Sequence, residues 1–219
     1  GSGGADVDIQ IPEFAKGAVA VRLDGRLDEG VWEQVPGYDN MLVMDPDTLA
    51  DTRYKTDARF FYTDEGLYIG VYMQQPRETL IARLSSRDEF INRDSIGITL
   101  DTSGEGLYGY WFVVNLGGSV MDGKVAAERQ FSREWDGPWS SGTAELEDGW
   151  SAEMFLPWSM MTMADAQDGK RELGFWINRK VAYLDERWSW PALPFASPRF
   201  MSALAPLPKE LRSSQRTGK

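Results

Sequence analysis

Residues 87–123, RDEFINRDSIGITLDTSGEGLYGYWFVVNLGGSVMDG, decide the fold. Between Asp94 and Asp101, Ile96, Ile98 and Leu100 recur at every second position, the period of a strand with one buried face. SGEG at 103–106 supplies a reversal, because glycine accepts the positive φ of a tight turn. Tyr108, Tyr110, Phe112 and Val114 then alternate in the same way, and LGG at 116–118 turns the chain again. Such a meander seeds an antiparallel sheet. Polar groups collect at the strand ends: Arg87, Asp88, Asp94, Asp101, Asn115 and Asp122. In a sandwich with an apolar middle, strand ends are where a site is expected.

Upstream, AVAVRLDG (18–25) alternates Val19, Val21 and Leu23 and predicts an opening strand. LDGRLDEGVWEQV (23–35) predicts one helical turn carrying Val31 and Trp32, with Asp28 as N-cap and Pro36-Gly37 as terminator. Residues 38–55 read as polar and irregular. Their Asp45, Asp47 and Asp51 could gather oxygens around calcium, although the spacing lacks the glycine and distal glutamate of an EF-hand loop, so a solvated loop is the simpler reading. TDARFFYTDEGLYIGVYMQQP (56–76) is a hairpin with Leu67, Ile69, Val71 and Met73 on one face.

Downstream, residues 128–142 predict an irregular loop, because Gly137-Pro138 between Trp135 and Trp139 excludes a regular helix. The two indoles either face a ligand or fold inward as a lid. Residues 144–157 form another hairpin that turns at Asp148-Gly149, with Trp150 on its core face and Glu153 on the other. ELGFWINRKVAYL (172–184) is a long strand. Its Arg179 shares a face with Phe175 and Ile177, and a cation there wants a carboxylate, with Glu153 the expected partner and Asp88 the second. ERWSWPALPFASP (186–198) reads as a Pro-rich loop carrying Trp188 and Trp190, and 199–207 as the last strand. At least nine strands with one or two short helical turns define an all-β chain, an antiparallel β-sandwich. Residues 1–17 read as a tag and flexible tail, 18–207 as a single β-sandwich domain, and 208–219 as a disordered tail or a linker to a further C-terminal part.

The composition narrows the chemistry. The 219 residues contain neither cysteine nor histidine, which excludes disulfides, thiolate or imidazole metal sites and every triad that uses histidine. A formal charge of −11 disfavours nucleic acid and anionic membranes as partners. The 12% aromatic content is mostly core, yet aromatic faces also grip the apolar faces of sugars. No apolar run reaches the length of a spanning helix and no signal-peptide pattern opens the chain, while GSGG at the start reads as an appended linker.

The words LDGRLDEGVWEQV (23–35), ARFFYTDEGLYIGVYMQQP (58–76), RDEFINRDSIGITLDT (87–102), GYWFVVNLGGSVMDG (109–123), DGWSAEMFLPWS (148–159) and LGFWINRKV (173–181) come in an order that resembles the family 9 carbohydrate-binding modules. The resemblance is nearer to the variant at the N-terminus of bacterial proteins with a C-terminal outer-membrane β-barrel. It implies a β-sandwich with structural calcium and a slot between two aromatic rings for the end of a glycan. One ring would lie before the DSIGITLD strand, where this chain has Phe90 and Ile91 in place of the tryptophan often present. The other would be Trp188 or Trp190.

The expected function is therefore a non-catalytic carbohydrate-binding domain for an oligo- or polysaccharide. The implied location is extracytoplasmic, in the periplasm or on the surface of a Gram-negative cell. The implied partner is an outer-membrane barrel in the same full-length chain. The expected ligand-binding residues are Arg87, Asp88, Phe90, Trp135, Trp139, Arg179, Trp188 and Trp190. The alternative is an interaction or plug-like domain that packs on its own barrel and binds no sugar. A glycoside hydrolase would need two carboxylates facing each other across a cleft, and no such pair stands out.

Overall fold

The computed structural model describes residues 11–80, 93–103, 107–126, 130–132, 137–163, 173–192 and 205–206. Thirteen strands among them form two antiparallel sheets. The smaller sheet runs β1 (Gly37–Tyr38), β3 (Thr56–Tyr62), β4 (Gly66–Gln74), β10 (Gly149–Pro157), β9 (Ser140–Leu146). The larger runs β2 (Leu42–Asp45), β12 (Glu186–Trp190), β11 (Gly174–Val181), β5 (Ser95–Asp101), β6 (Tyr108–Asn115), β7 (Val120–Ala126), β8 (Gln130–Ser132), with β13 (Ala205–Pro206) also paired to β11.

The meander pairs in the register that its alternation requires, Ile98 opposite Phe112 and Leu100 opposite Tyr110. Across β11 the same rows continue through Ile177 and Phe175. These side chains meet Leu67, Ile69, Val71, Met73, Trp150 and Met154 of the smaller sheet in one core cluster, each at most 3% exposed. The residues whose period-two spacing predicted a core position in the two central hairpins are there, except Tyr108, which is half-buried at the start of β6.

The first fifth of the chain differs from its reading. Val19, Val21 and Leu23 form no strand; Val19 and Val21 pack with Phe14, Leu27 and Val31 around Trp32, Val35 and Phe61. This second cluster covers the outer face of the smaller sheet, so the segment is a third layer laid across strands β3, β4 and β10. Contacts already begin at Ile11, which is 3% exposed. The helical turn exists as α1 (Gly30–Glu33), but its N-cap is Glu29 and no side chain caps it. Further segments read as irregular are strands, including Gln130–Ser132 within the loop expected over 128–142. Leu42–Asp45 lies at the edge of the larger sheet, and Glu186–Trp190 runs inside it, between β2 and β11. Prolines at 191 and 194 hid the second of these, since proline ends strands but does not prevent one from running up to it.

Among the described residues no helix is long and apolar enough to cross a membrane.

Candidate functional site: the outer face of the larger sheet

Alternation that buries Ile96, Ile98 and Leu100 must turn Ser95, Gly97, Thr99 and Asp101 to the opposite face. The ladder then fixes their neighbours. One row across the sheet is Ser189, Asn178, Gly97, Val113, Met121, and the next is Trp176, Thr99, Trp111, Gly123. On the other side of the first row come Arg187, Lys180, Ser95 and Asn115. None of these residues belongs to the inter-sheet core cluster. The face is thus amide, hydroxyl, two cations and two indoles, an unusual surface for a sheet whose other side is apolar over β5 and β11 but for Arg179.

Its polar groups are sheltered. Ser189, Thr99, Asn178 and Trp176 are buried, while Trp111, Val113, Met121, Lys180 and Arg187 are half-buried. Arg187 donates to Asn178 Oδ1 at 2.6 Å, and burial pushes its guanidinium below the ordinary value. Lys180 Nζ reaches Asp185 at 2.9 Å. Trp111 Nε1 and Ser189 Oγ are buried with no hydrogen-bond partner among the described residues. A buried donor left without a partner is costly, so the half-buried Trp111 is poised for an acceptor brought by a ligand or water, while Ser189, 0% exposed, presents no surface to a ligand. At the centre Gly97 lets its neighbours close in over the backbone: a Cβ there would stand 3.0 Å from Asn178 Nδ2 and 3.2 Å from Val113 Cγ2.

The residues expected to bind ligand separate into three groups. Arg87, Asp88, Phe90 and Trp135 lie outside the described residues. Trp139 is half-buried, donates from Nε1 to Asp122 Oδ2 at 2.7 Å and packs edge-on against Phe112 at 5.2 Å. Arg179, Trp188 and Trp190 sit between the sheets, at most 1% exposed, and present no surface to a ligand. Trp188 and Trp190 occupy the inward positions of β12, where Trp190 stacks on Tyr38 at 5.5 Å and meets Phe175 edge-on at 4.9 Å.

Arg179 has no bond to Glu153. The two side chains lie on opposite sides of the smaller sheet, a consequence of the alternation that faces Trp150 inward and Glu153 outward. Instead Arg179 donates to the carbonyls of Lys55 and Gln74 at 3.2 and 2.7 Å, to Thr56 Oγ1 at 3.0 Å and to Gln75 Oε1 at 3.2 Å. Its guanidinium stands 4.8 Å from the Trp188 ring. Burial pushes it down to about 9, against the opposing field of Asp94 first. Glu153 accepts from Gly25 N at 3.0 Å and Trp32 Nε1 at 3.0 Å, anchoring the third layer.

Trp111, Trp176, Asn178 and Arg187 share this face and were not singled out from the sequence. The signal was present: once Ile98 faces the core, Trp111 and Trp176 must face away from it.

Asp45, Asp47 and Asp51 do not come together. Among the described residues, the carboxylates whose oxygens approach within 4.8 Å are those of Asp24, Asp28 and Glu29. Glu29 Oε2 is buried and lacks a partner among the described residues. An all-oxygen set with one orphaned carboxylate oxygen fits a hard cation such as calcium, and these three residues would hold it.

An eight-stranded and a five-stranded antiparallel sheet, with a polar and aromatic outer face on the larger, define an all-β sandwich. The fold is that of the family 9 carbohydrate-binding modules. A module of that family from Caldicellulosiruptor kristjanssonii, in complex with cellotriose, superposes with a TM-score of 0.61 at 14% identity over 96% of this chain and 98% of that one. In complex with glucose the corresponding values are 0.62, 14%, 92% and 97%. A Bacteroides uniformis protein whose carbohydrate binding is inferred gives 0.67 at 10% identity, covering 91% and 97%. No family model matches the chain, and no curated protein does.

Proposed function

We propose that this chain is a non-catalytic carbohydrate-binding domain whose sugar site is the outer face of the larger sheet. The observation that carries the reading is the pair Trp176 and Trp111 on either side of Thr99. Two strand spacings set their backbones about 10 Å apart. Indoles at that separation can flank one sugar ring, while Asn178, Arg187 and Trp111 Nε1 bond its hydroxyls. Apolar ring faces with a few fixed polar groups are the usual make-up of a small-ligand site. The sandwich neighbours bound to glucose and cellotriose support the same class of ligand. Arg87, Asp88, Phe90 and Trp135 remain candidate contacts, since the first three closely precede β5 in sequence. By sequence resemblance alone, the domain belongs outside the cytoplasm, joined to an outer-membrane barrel.

A small polyol gives few contacts and each hydroxyl must first shed water, so affinity should be on the order of micromolar to millimolar. Calorimetric titration with cellotriose and a panel of neutral oligosaccharides tests the proposal. Wild type should bind at least one, and Trp111→Ala or Asn178→Ala should weaken it by about tenfold or more. Wild-type affinity in both variants would place the site elsewhere. No binding across the panel would reject the function.

A further inference from the structure

A cleft of about 470 Å³ opens on the opposite side of the molecule, on the outer face of the smaller sheet. Its floor is the half-buried ring of Tyr72 on β4, next to Ser151 on β10. Trp32 forms part of its wall, and Leu27 and Leu146 add aliphatic surface to the lining. The third layer holds that wall in place. Ser151 Oγ bonds the Gly25 carbonyl and Glu153 takes the Gly25 and Trp32 N–H groups. Gly25, at φ +85°, lies so close to Thr143 that a Cβ would stand 2.2 Å from its carbonyl carbon. The wall is therefore built on backbone contact, and the cleft is a fixed feature rather than a gap between loose segments.

The rim is charged in both senses. Arg59 is already committed, to Asp57 at 2.9 Å and to the carbonyls of Trp32 and Val35 at 2.7 and 3.1 Å. That leaves Arg26 as donor and Glu33 as acceptor, both exposed, with Asp28 beside them shared with the cation set. The Tyr72 hydroxyl donates to Asp148 Oδ2 at 2.6 Å, which anchors the far end of a ring that lines the cleft. An aromatic floor with aliphatic sides takes the C–H face of a ring. A rim offering both a donor and acceptors takes hydroxyls, which both donate and accept. The carboxylate excess on the rim, on a chain of net charge −11, repels anions. The volume lies in the range of small-molecule pockets.

We infer that this cleft is a second ligand site, for a saccharide unit that carries no negative charge. It shares no residue with the face of the larger sheet, and its argument rests on its own lining. A domain with both sites would hold two glycan segments on opposite surfaces, and so bridge chains rather than cap one end.

The test is an amide and indole NMR titration of the 219-residue chain with methyl β-glucoside, and in parallel with glucuronate as the anionic probe. The expected result is a saturable shift of the Trp32 Nε1–H and of amides around Tyr72 and Ser151 with the glucoside, and none with glucuronate. Tyr72→Ala should weaken the glucoside shift at Trp32 by about tenfold. Arg26→Ala, at an exposed position where folding is not at stake, should weaken it by a few-fold. No saturable shift at Trp32, an equal response to glucuronate, or full response in both variants would overturn the inference. Trp111 and Trp176 resonances report the other face in the same spectra, so each site fails or stands separately.

Discussion

Arg179 carries its charge into the inter-sheet core and spends its donors on neutral oxygens at the ends of β3 and β4. It bolts one sheet to the other, and the Trp188 face beneath it replaces part of the lost hydration. Arg179→Met keeps most of the volume but removes the donors to the Gln74 carbonyl, Thr56 Oγ1 and Gln75 Oε1, while the Lys55 carbonyl keeps the Gln74 N–H at 2.9 Å. The expected loss is about 2–4 kcal/mol in urea unfolding; a loss below about 0.5 kcal/mol, the level of an ordinary surface change, would contradict the bolt.

Glu153 is the second residue whose environment sets its chemistry. Burial, then repulsion from Glu29 and Asp24, pushes its carboxyl from 4.5 up to about 8, against the opposing bonds from Trp32 and Gly25. A carboxyl raised on folding binds its proton more tightly in the native state. Its contribution is complete below pH 4.5 and is lost as pH rises through about 8. Unfolding measured from pH 4 to 9 in EDTA should show wild type losing stability across that window relative to Glu153→Gln. Parallel curves would refute the assignment.

Among the elements, strand β5 was the most legible and the third layer the least. Ile96, Ile98 and Leu100 announce β5 because a strand with one buried face has no other way to pattern itself. Ile98 is 1% exposed, so Ile98→Asp should cost about 4 kcal/mol or more by burying an unpaired charge. An equally stable variant would remove β5 from the core. The segment at 18–25 shows the same alternation yet pairs with nothing, because a coil lying on a sheet also needs every second side chain turned down. Alternation reports a buried face, and only a partner's register tells strand from strap.

The strap also offers a direct test of the cation set. Calcium held by Asp24, Asp28 and Glu29 would bind only the folded chain and raise the melting temperature, by mass action. The expected outcome is a rise with millimolar calcium over EDTA that Asp28→Asn abolishes. Equal melting temperatures in both conditions would remove calcium from the account.

For the molecule as a whole, the sandwich was readable because its two central hairpins carry unbroken patterns. The site was readable only in kind. Aromatic rings and an arginine were expected to hold a sugar, but of the residues chosen Arg179, Trp188 and Trp190 are buried between the sheets. Period two places Arg179 inward with Phe175 and Ile177, and the same parity puts Trp176 and Asn178 outside. Three-dimensional pairing was still needed to bring Trp176 and Trp111 into one row.

The central claim, that sugar binds the outer face of the larger sheet, is most directly tested by the tryptophan indole N–H spectrum, which contains nine side-chain signals. They would be followed as cellotriose, or the best neutral ligand from the panel, is added. The account predicts saturable movement of Trp111 and Trp176, while Trp150, Trp158, Trp188 and Trp190, each at most 3% exposed, hold their positions. Bound ligand with Trp111 and Trp176 unmoved would contradict it.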